Sequence, residues 1–128
     1  MKESNLKYDT PQIVKVKFDK TPNFNSSEDI VELKNDYSIS VQRLNDESAV
    51  VILSLKVYGE ADSIVPFTLE IANAARFYWS GYPSEVVEKM LDVNAPALLL
   101  GYLRPMVAAI TNSSGLPPYN LPLINFNE

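Results

Sequence analysis

The sequence predicts an α+β fold: a four-stranded antiparallel sheet, a long kinked helix packed beside it, and a short helix preceding the long one. Three observations predict it. Four segments alternate apolar and polar residues with the period of a half-buried strand. Short turns join the last three of them, as antiparallel neighbours require. A long apolar segment with the start and stop signals of a helix then follows. The 128 residues suit a single domain spanning 1–128, with residues 1–12 expected to be frayed.

Ile13–Phe18 is the first strand, with Val14, Val16 and Phe18 on one face. Lys15 and Lys17 point the other way, as on an edge strand that resists further pairing. Thr21–Asp29 is a loop by its Pro, Asn and Ser content. Tyr37–Leu44 is the second strand, setting Tyr37, Ile39 and Val41 opposite Ser38, Ser40 and Gln42. Asn45–Ser48 turns the chain into the third strand, Ala49–Gly59, whose apolar face is Val51, Leu53, Leu55 and Val57. Glu60–Ser63 is the next turn. Ile64–Trp79 is the fourth strand, with Phe67, Leu69 and Ile71 inward. A sheet with one apolar face needs a cover.

The cover comes next. Ser84 caps a short helix that runs to Leu91, with Val86, Val87, Met90 and Leu91 as its apolar stripe and Glu85–Lys89 as a weak helical pair. Asn94 opens the main helix, with Pro96 in the first turn where its missing N–H costs nothing. The helix runs to about Asn112 and stops at Ser113-Ser114-Gly115. Pro105 removes a helix bond and crowds the carbonyl of Gly101, which predicts a bend there. Such a bend serves either packing on the sheet or the fit to a partner.

Beyond Gly115 the chain is apolar but not helical. Pro117, Pro118 and Pro122 hold it in extended or polyproline geometry. Leu116, Tyr119, Leu121, Leu123, Ile124 and Phe126 must therefore lie on a surface, of this subunit or of another. Arg104 is the only charge between Asn94 and Phe126, and it needs an acidic partner or a place facing water.

Composition excludes several function classes. Hydrophobic residues make up 46%, enough for a core without staples. With no Cys and no His, disulfides, thiolate metal sites and triads built on His are ruled out within this chain. Four glycines, at 59, 81, 101 and 115, make no phosphate-cradling loop. A net charge of -5 disfavours nucleic acid and anionic membranes as partners. "MKESNLKYDT" lacks the apolar run of a secretory signal. The longest uncharged apolar run, Val93–Leu103, falls short of the ~20 residues of a spanning helix, so no membrane insertion is expected and a cytoplasmic address is the default. No metal or other cofactor is expected. From residues alone the reading is an oligomeric α+β domain with large apolar faces.

"NAPALLLGYLRP" followed by "SSGLPPYNLPLINF" resembles the SecB protein-export chaperone family, through Pro96, Tyr102, Arg104, Gly115, Pro117, Pro118, Pro122, Asn125 and Phe126. "PFTLEIANAARFYW" also resembles the fourth strand of that family. The likeness covers roughly residues 13 to 126 and is strong from 64 onward. It implies a binder rather than an enzyme. Such a chaperone holds unfolded or preprotein polypeptides in a hydrophobic groove without ATP, assembles as a dimer of dimers, and delivers clients to the export motor SecA. The family continues past Asn-Phe into a second helix and a polar tail, whereas here Glu128 follows two residues later. That departure weakens the expectation of motor delivery more than that of client holding.

For the peptide-binding groove the resemblance points to Phe67, Phe77, Trp79, Tyr102, Leu116, Tyr119 and Leu121. Aromatic side chains suit promiscuous contact, although Phe67 and Trp79 are equally at home in a core. Tyr102 and Arg104 are candidates for the oligomer interface. Asp19 and Glu70 fall at outer-face positions that the family uses to bind SecA, while Lys15 inverts the charge at a third. Two other readings stay open: a SecB-like adaptor dedicated to one partner such as an antitoxin, and a small-ligand-binding domain using the cavity between sheet and helix.

Overall fold

The structure is a computed structural model that describes residues 6–24, 32–61 and 63–127. Five strands form one antiparallel sheet: β1 (Lys7–Tyr8), β2 (Gln12–Lys20), β3 (Lys34–Asn45), β4 (Ser48–Tyr58) and β5 (Phe67–Tyr78). β5 has β4 on one side and both β1 and β2, end to end, on the other. β3 lies beyond β4. The chain therefore passes from one edge of the sheet at β2 to the opposite edge at β3.

The fifth strand corrects the expectation of four. Lys7 and Tyr8, placed in the frayed stretch, pair with Tyr78 and Phe77. The Tyr8 ring also lies 6.0 Å from that of Phe77, so an apolar side chain anchors the short strand. Residues 1–5 lie outside the described residues, as do 25–29 of the expected loop. Residue 62 of the expected Glu60–Ser63 turn also lies outside them, but the turn's hydrogen bond from Ser63 N–H to Glu60 O is present at 3.0 Å.

Register follows the apolar alternation. Tyr37, Ile39 and Val41 stand opposite Leu55, Leu53 and Val51, and these opposite Ile71, Asn73 and Ala75. Two expectations shift. β5 begins at Phe67 rather than Ile64, because Pro66 has no N–H to give a ladder; its carbonyl accepts from Thr21 N–H at 2.9 Å. In β2 a bulge between Ile13 and Lys15 makes Val14 the extra residue. The residues that share the face of Leu69, Ile71 and Asn73 are then Phe18, Val16 and Ile13.

The apolar face is covered by one continuous helical stretch with three parts: α1 (Ser84–Lys89), a π turn (Met90–Asn94) and α2 (Ala95–Ser113). The short and long helices are thus joined, not separate. Pro83, not Ser84, occupies the N-cap position, with no side-chain cap. Asn94 sits within the helix and caps nothing. The π turn has a physical cause one residue on. Pro96 has no N–H for the carbonyl four residues back and its ring crowds that carbonyl. The helix widens there instead, and Ala95 N–H reaches back to Met90 O. Val87, Met90 and Leu91 are buried as expected, but Val86 is exposed. The helix continues through Pro105, which lacks its own bond to Gly101 O.

α2 closes on Gly115, whose φ of 90° belongs to the left-handed region. Leu116 N–H donates to Thr111 O and Gly115 N–H to Asn112 O, the paired bonds of a Schellman end. The whole stretch Ser84–Ser113 spans 30 residues and is long and apolar enough to cross a membrane by length and composition. This exceeds the run counted in the sequence, although a core helix meets the same criterion. Here Leu99, Leu103 and Val107 are fully buried in the core with Leu53, Ile71 and Phe77. Asn73 supports the contact from the sheet, its Nδ2 donating to Leu99 O at 3.0 Å.

Candidate peptide-binding surface

The proline-rich segment lies on its own subunit. Leu121 is buried, and Leu116, Tyr119, Ile124 and Phe126 pack half-buried against the core. Three hydrogen bonds pin it. Thr111 Oγ1 accepts from Tyr119 N–H at 2.8 Å. Arg104 Nε donates to Leu121 O at 3.1 Å. The Tyr119 hydroxyl donates to Asn35 Oδ1 at 2.9 Å, which ties the segment to β3. The single charge of this region thus finds a backbone carbonyl rather than the acid or open water that its isolation suggested.

Ring contacts continue the strap. Tyr119 meets Phe67 edge-on at 5.6 Å, and Phe126 meets Tyr37 edge-on at 6.4 Å. The Tyr37 hydroxyl beneath is buried without a hydrogen-bond partner. Burial is the main reason its pKa stands above the ordinary tyrosine value; Tyr119 adds to the shift and Arg104 opposes it. Leu123, by contrast, is 83% exposed.

The sequence-derived groove residues divide into two groups. Phe67, Phe77, Trp79 and Leu121 are at most 5% exposed and belong to the core. Arg43 lies over the Trp79 ring at 5.5 Å and closes that end of the core. Tyr102 is exposed, and Leu116 and Tyr119 are half-buried at the surface. Asp19 and Glu70 both lie on the outer face of the sheet, as expected from strand parity. Glu70 is not free there, since Lys15 Nζ stands 3.8 Å from its Oε1.

Two apolar strips flank α2. On one side, Tyr8, Ile13 and Val16 of the β1–β2 edge and Tyr102 and Met106 of α2 are between 38% and 49% exposed. Interaction with the Tyr8 side chain raises the Tyr102 pKa above the ordinary tyrosine value. On the other side are Tyr37, Ile39 and Val41 of β3, with the strap lying over Tyr37. Among the described residues, β3 has no partner strand on its side away from β4. From Tyr37 to Gln42 it carries no charge and no proline, so it lacks the devices that normally blunt an edge. β2 has such devices in Lys15, Lys17, Lys20 and its bulge. The sequence marks β2 as a protected edge through Lys15 and Lys17, but not β3 as the other edge, because its place is settled by pairing; only its run of uncharged residues is visible.

Comparison with known proteins agrees with this geometry. The family described as preprotein translocase subunit SecB matches residues 14–128. A protein-export protein SecB of Xanthomonas euvesicatoria pv. vesicatoria is 30% identical over 95 residues, which are 74% of this chain and 56% of that protein. One from Chelativorans sp. is 33% identical over 76 residues, 59% of this chain and 45% of its own length. The chain thus spans about half the length of the curated relatives it matches. Among solved structures, a SecB-like chaperone of Mycobacterium tuberculosis, in complex with a peptide from an antitoxin, superposes with a TM-score of 0.74. That match is at 15% identity and covers 94% of this chain and 91% of the other. With sheet order, helix and strap in place and the family matched over nearly all its length, the chain belongs to the SecB family.

Proposed function

We propose that this protein is a holding chaperone that binds unfolded polypeptides as extended segments, without nucleotide and without chemistry of its own, in the cytoplasm. The observation that carries the reading is the uncharged stretch Tyr37–Gln42 at the β3 edge, unpaired among the described residues, beside the apolar strip of Tyr37 and Ile39. An extended client gains main-chain hydrogen bonds along such an edge and places alternate side chains on the strip. Phe67, Phe77, Trp79 and Leu121 support the floor from within, while Leu116, Tyr119 and the strap form one wall. The second strip, around Val16, Tyr102 and Met106, serves assembly into a homo-oligomer, since apolar surface of this kind favours a protein neighbour over water.

The test is suppression of aggregation of a chemically unfolded client, followed by light scattering. The protein at several-fold excess is expected to suppress it, and Ile39→Lys to weaken suppression at least fivefold. Equal scattering with and without the protein would sink the reading.

A second reading keeps the site and narrows the client to one dedicated partner. Two observations favour it. The SecB-like chaperone of similar fold was solved with an antitoxin peptide, and Glu70, a candidate SecA contact, is paired with Lys15. Affinity capture separates the readings: one stoichiometric partner indicates an adaptor, and a spread of unfolded chains a general holder.

A further inference from the structure

We propose that the outer face of the sheet, turned away from α2, docks an acidic, extended segment of a partner polypeptide. Strand register sorts the charges. The outer face carries Lys7, Lys15, Lys17, Lys34, Lys56 and Arg76 against Asp19, Asp36 and Glu70. Six cations to three acids reverses the balance of the whole chain, which has 11 Lys and Arg to 16 Asp and Glu. At the rim Glu60 pairs with Lys34 at 2.7 Å, which removes that cation as well as the acid from the balance and leaves five cations, and Asp9 accepts a hydrogen bond from the Tyr78 hydroxyl. A third acid, Glu47, shares a recess with Lys7 and Arg76.

The cations concentrate around Glu70. Lys17 on β2 and Lys56 on β4 are its cross-strand partners, and Lys15 approaches it from the side. Glu70 thus has lysines at three neighbouring positions, of which Lys15 is in ion-pair range. Asp36 continues the row beyond Lys56, but its Oδ2 accepts from the Tyr58 hydroxyl at 2.8 Å. Next to this row, Ser38, Ser54 and Ala72 cross the sheet as a line of small side chains. They floor a recess of about 290 Å³ whose walls include Lys15, Lys56, Asp36 and Glu70. A basic partner would meet three lysines here, whereas a carboxylate-bearing one relieves their crowding.

Spacing selects the conformation. Lys17 and Lys56 stand two strand spacings apart, about 10 Å. A polyproline segment returns to the same face every third residue, roughly 9 Å along its axis, so carboxylates at every third position meet both. A nucleic acid, charged at each nucleotide, would meet Glu70 between Lys17 and Lys56 and Asp36 beyond Lys56.

The experiment is fluorescence anisotropy with the full chain and a labelled peptide of four Glu-Pro-Pro repeats, beside its Gln and Lys counterparts. The Glu peptide is expected to bind at least tenfold tighter than the Gln peptide and to weaken several-fold between low and moderate salt. The double variant K17E/K56E, at exposed positions, is expected to lose at least tenfold with unchanged circular dichroism. Equal binding of the Gln or Lys peptide, full affinity in the double variant, or displacement by a single-stranded oligonucleotide at lower concentration than unlabelled peptide would each overturn the proposal. The client-holding reading is scored separately by light scattering and survives any of these results.

Discussion

Thr111 does more than its place in a helix demands. It is fully buried. Its hydroxyl donates to Val107 O at 3.0 Å and accepts Tyr119 N–H at 2.8 Å, so one side chain joins helix and strap. Thr111→Val keeps the shape but strands the Tyr119 N–H; a loss of about 1–3 kcal/mol is expected in chemical denaturation. Tyr37 is the opposite case, a buried hydroxyl with no partner. Tyr37→Phe is expected to leave stability unchanged or slightly higher at neutral pH, because nothing is left unpaired by the change. Its pKa is raised above 10.0 in the folded chain, chiefly by burial. The neutral hydroxyl therefore favours the folded state below the unfolded value, and this contribution is lost as pH rises through the folded one. Thermal melts from pH 9 upward are expected to fall less steeply for the Phe variant than for the parent. Neither role was legible in sequence, where Thr111 was only a helix residue and Tyr37 only one of an alternating set.

At the scale of elements, glycines and prolines act through the backbone. The sequence suggests Gly101 as room for Pro105, yet a Cβ placed on Gly101 meets nothing within 4 Å. Gly101→Ala is then expected to stabilise by about 0.5–1 kcal/mol, through helix propensity and a less flexible unfolded chain. Gly115→Ala is expected to cost about 1–2 kcal/mol, since its φ of 90° suits no L side chain. Urea midpoints of the two variants should move in opposite directions. The irregular helical turn appears ahead of Pro96 rather than being forced at Pro105, because the exposed side of α2 lets Pro105 lose its bond to water-accessible chain. Strand identities and inward faces were legible for β3, β4 and most of β5, where alternation is uninterrupted. In β2 the bulge moved Val14 off the predicted face, and no local pattern marks a bulge of this kind.

For the whole molecule, the exposed strip across β1, β2 and α2 sets the expected assembly. Sedimentation is expected to give a multiple of the 14.3 kDa chain mass. The double variant V16K/M106K is expected to shift the population toward monomer, as two lysines would be desolvated in each interface. A monomeric parent would remove assembly as the role of the strip. The candidate site shows the same division as the fold. Of the set singled out in sequence, Phe67, Phe77, Trp79 and Leu121 line the core and only Tyr102, Leu116 and Tyr119 reach the surface.

The sequence by itself determined the elements, their facing residues, the edge character of β2, the stop at Gly115 and the family likeness. All of these are encoded over short spans, by side-chain period and by residues that restrict or free the backbone. Tertiary structure decided that β3 lies at the opposite edge, that the strap folds onto Thr111, Arg104 and Asn35, and that six cations gather on one face. Those outcomes join residues far apart in the chain. They follow from which apolar surfaces can be buried together, a quantity that no single stretch of sequence contains.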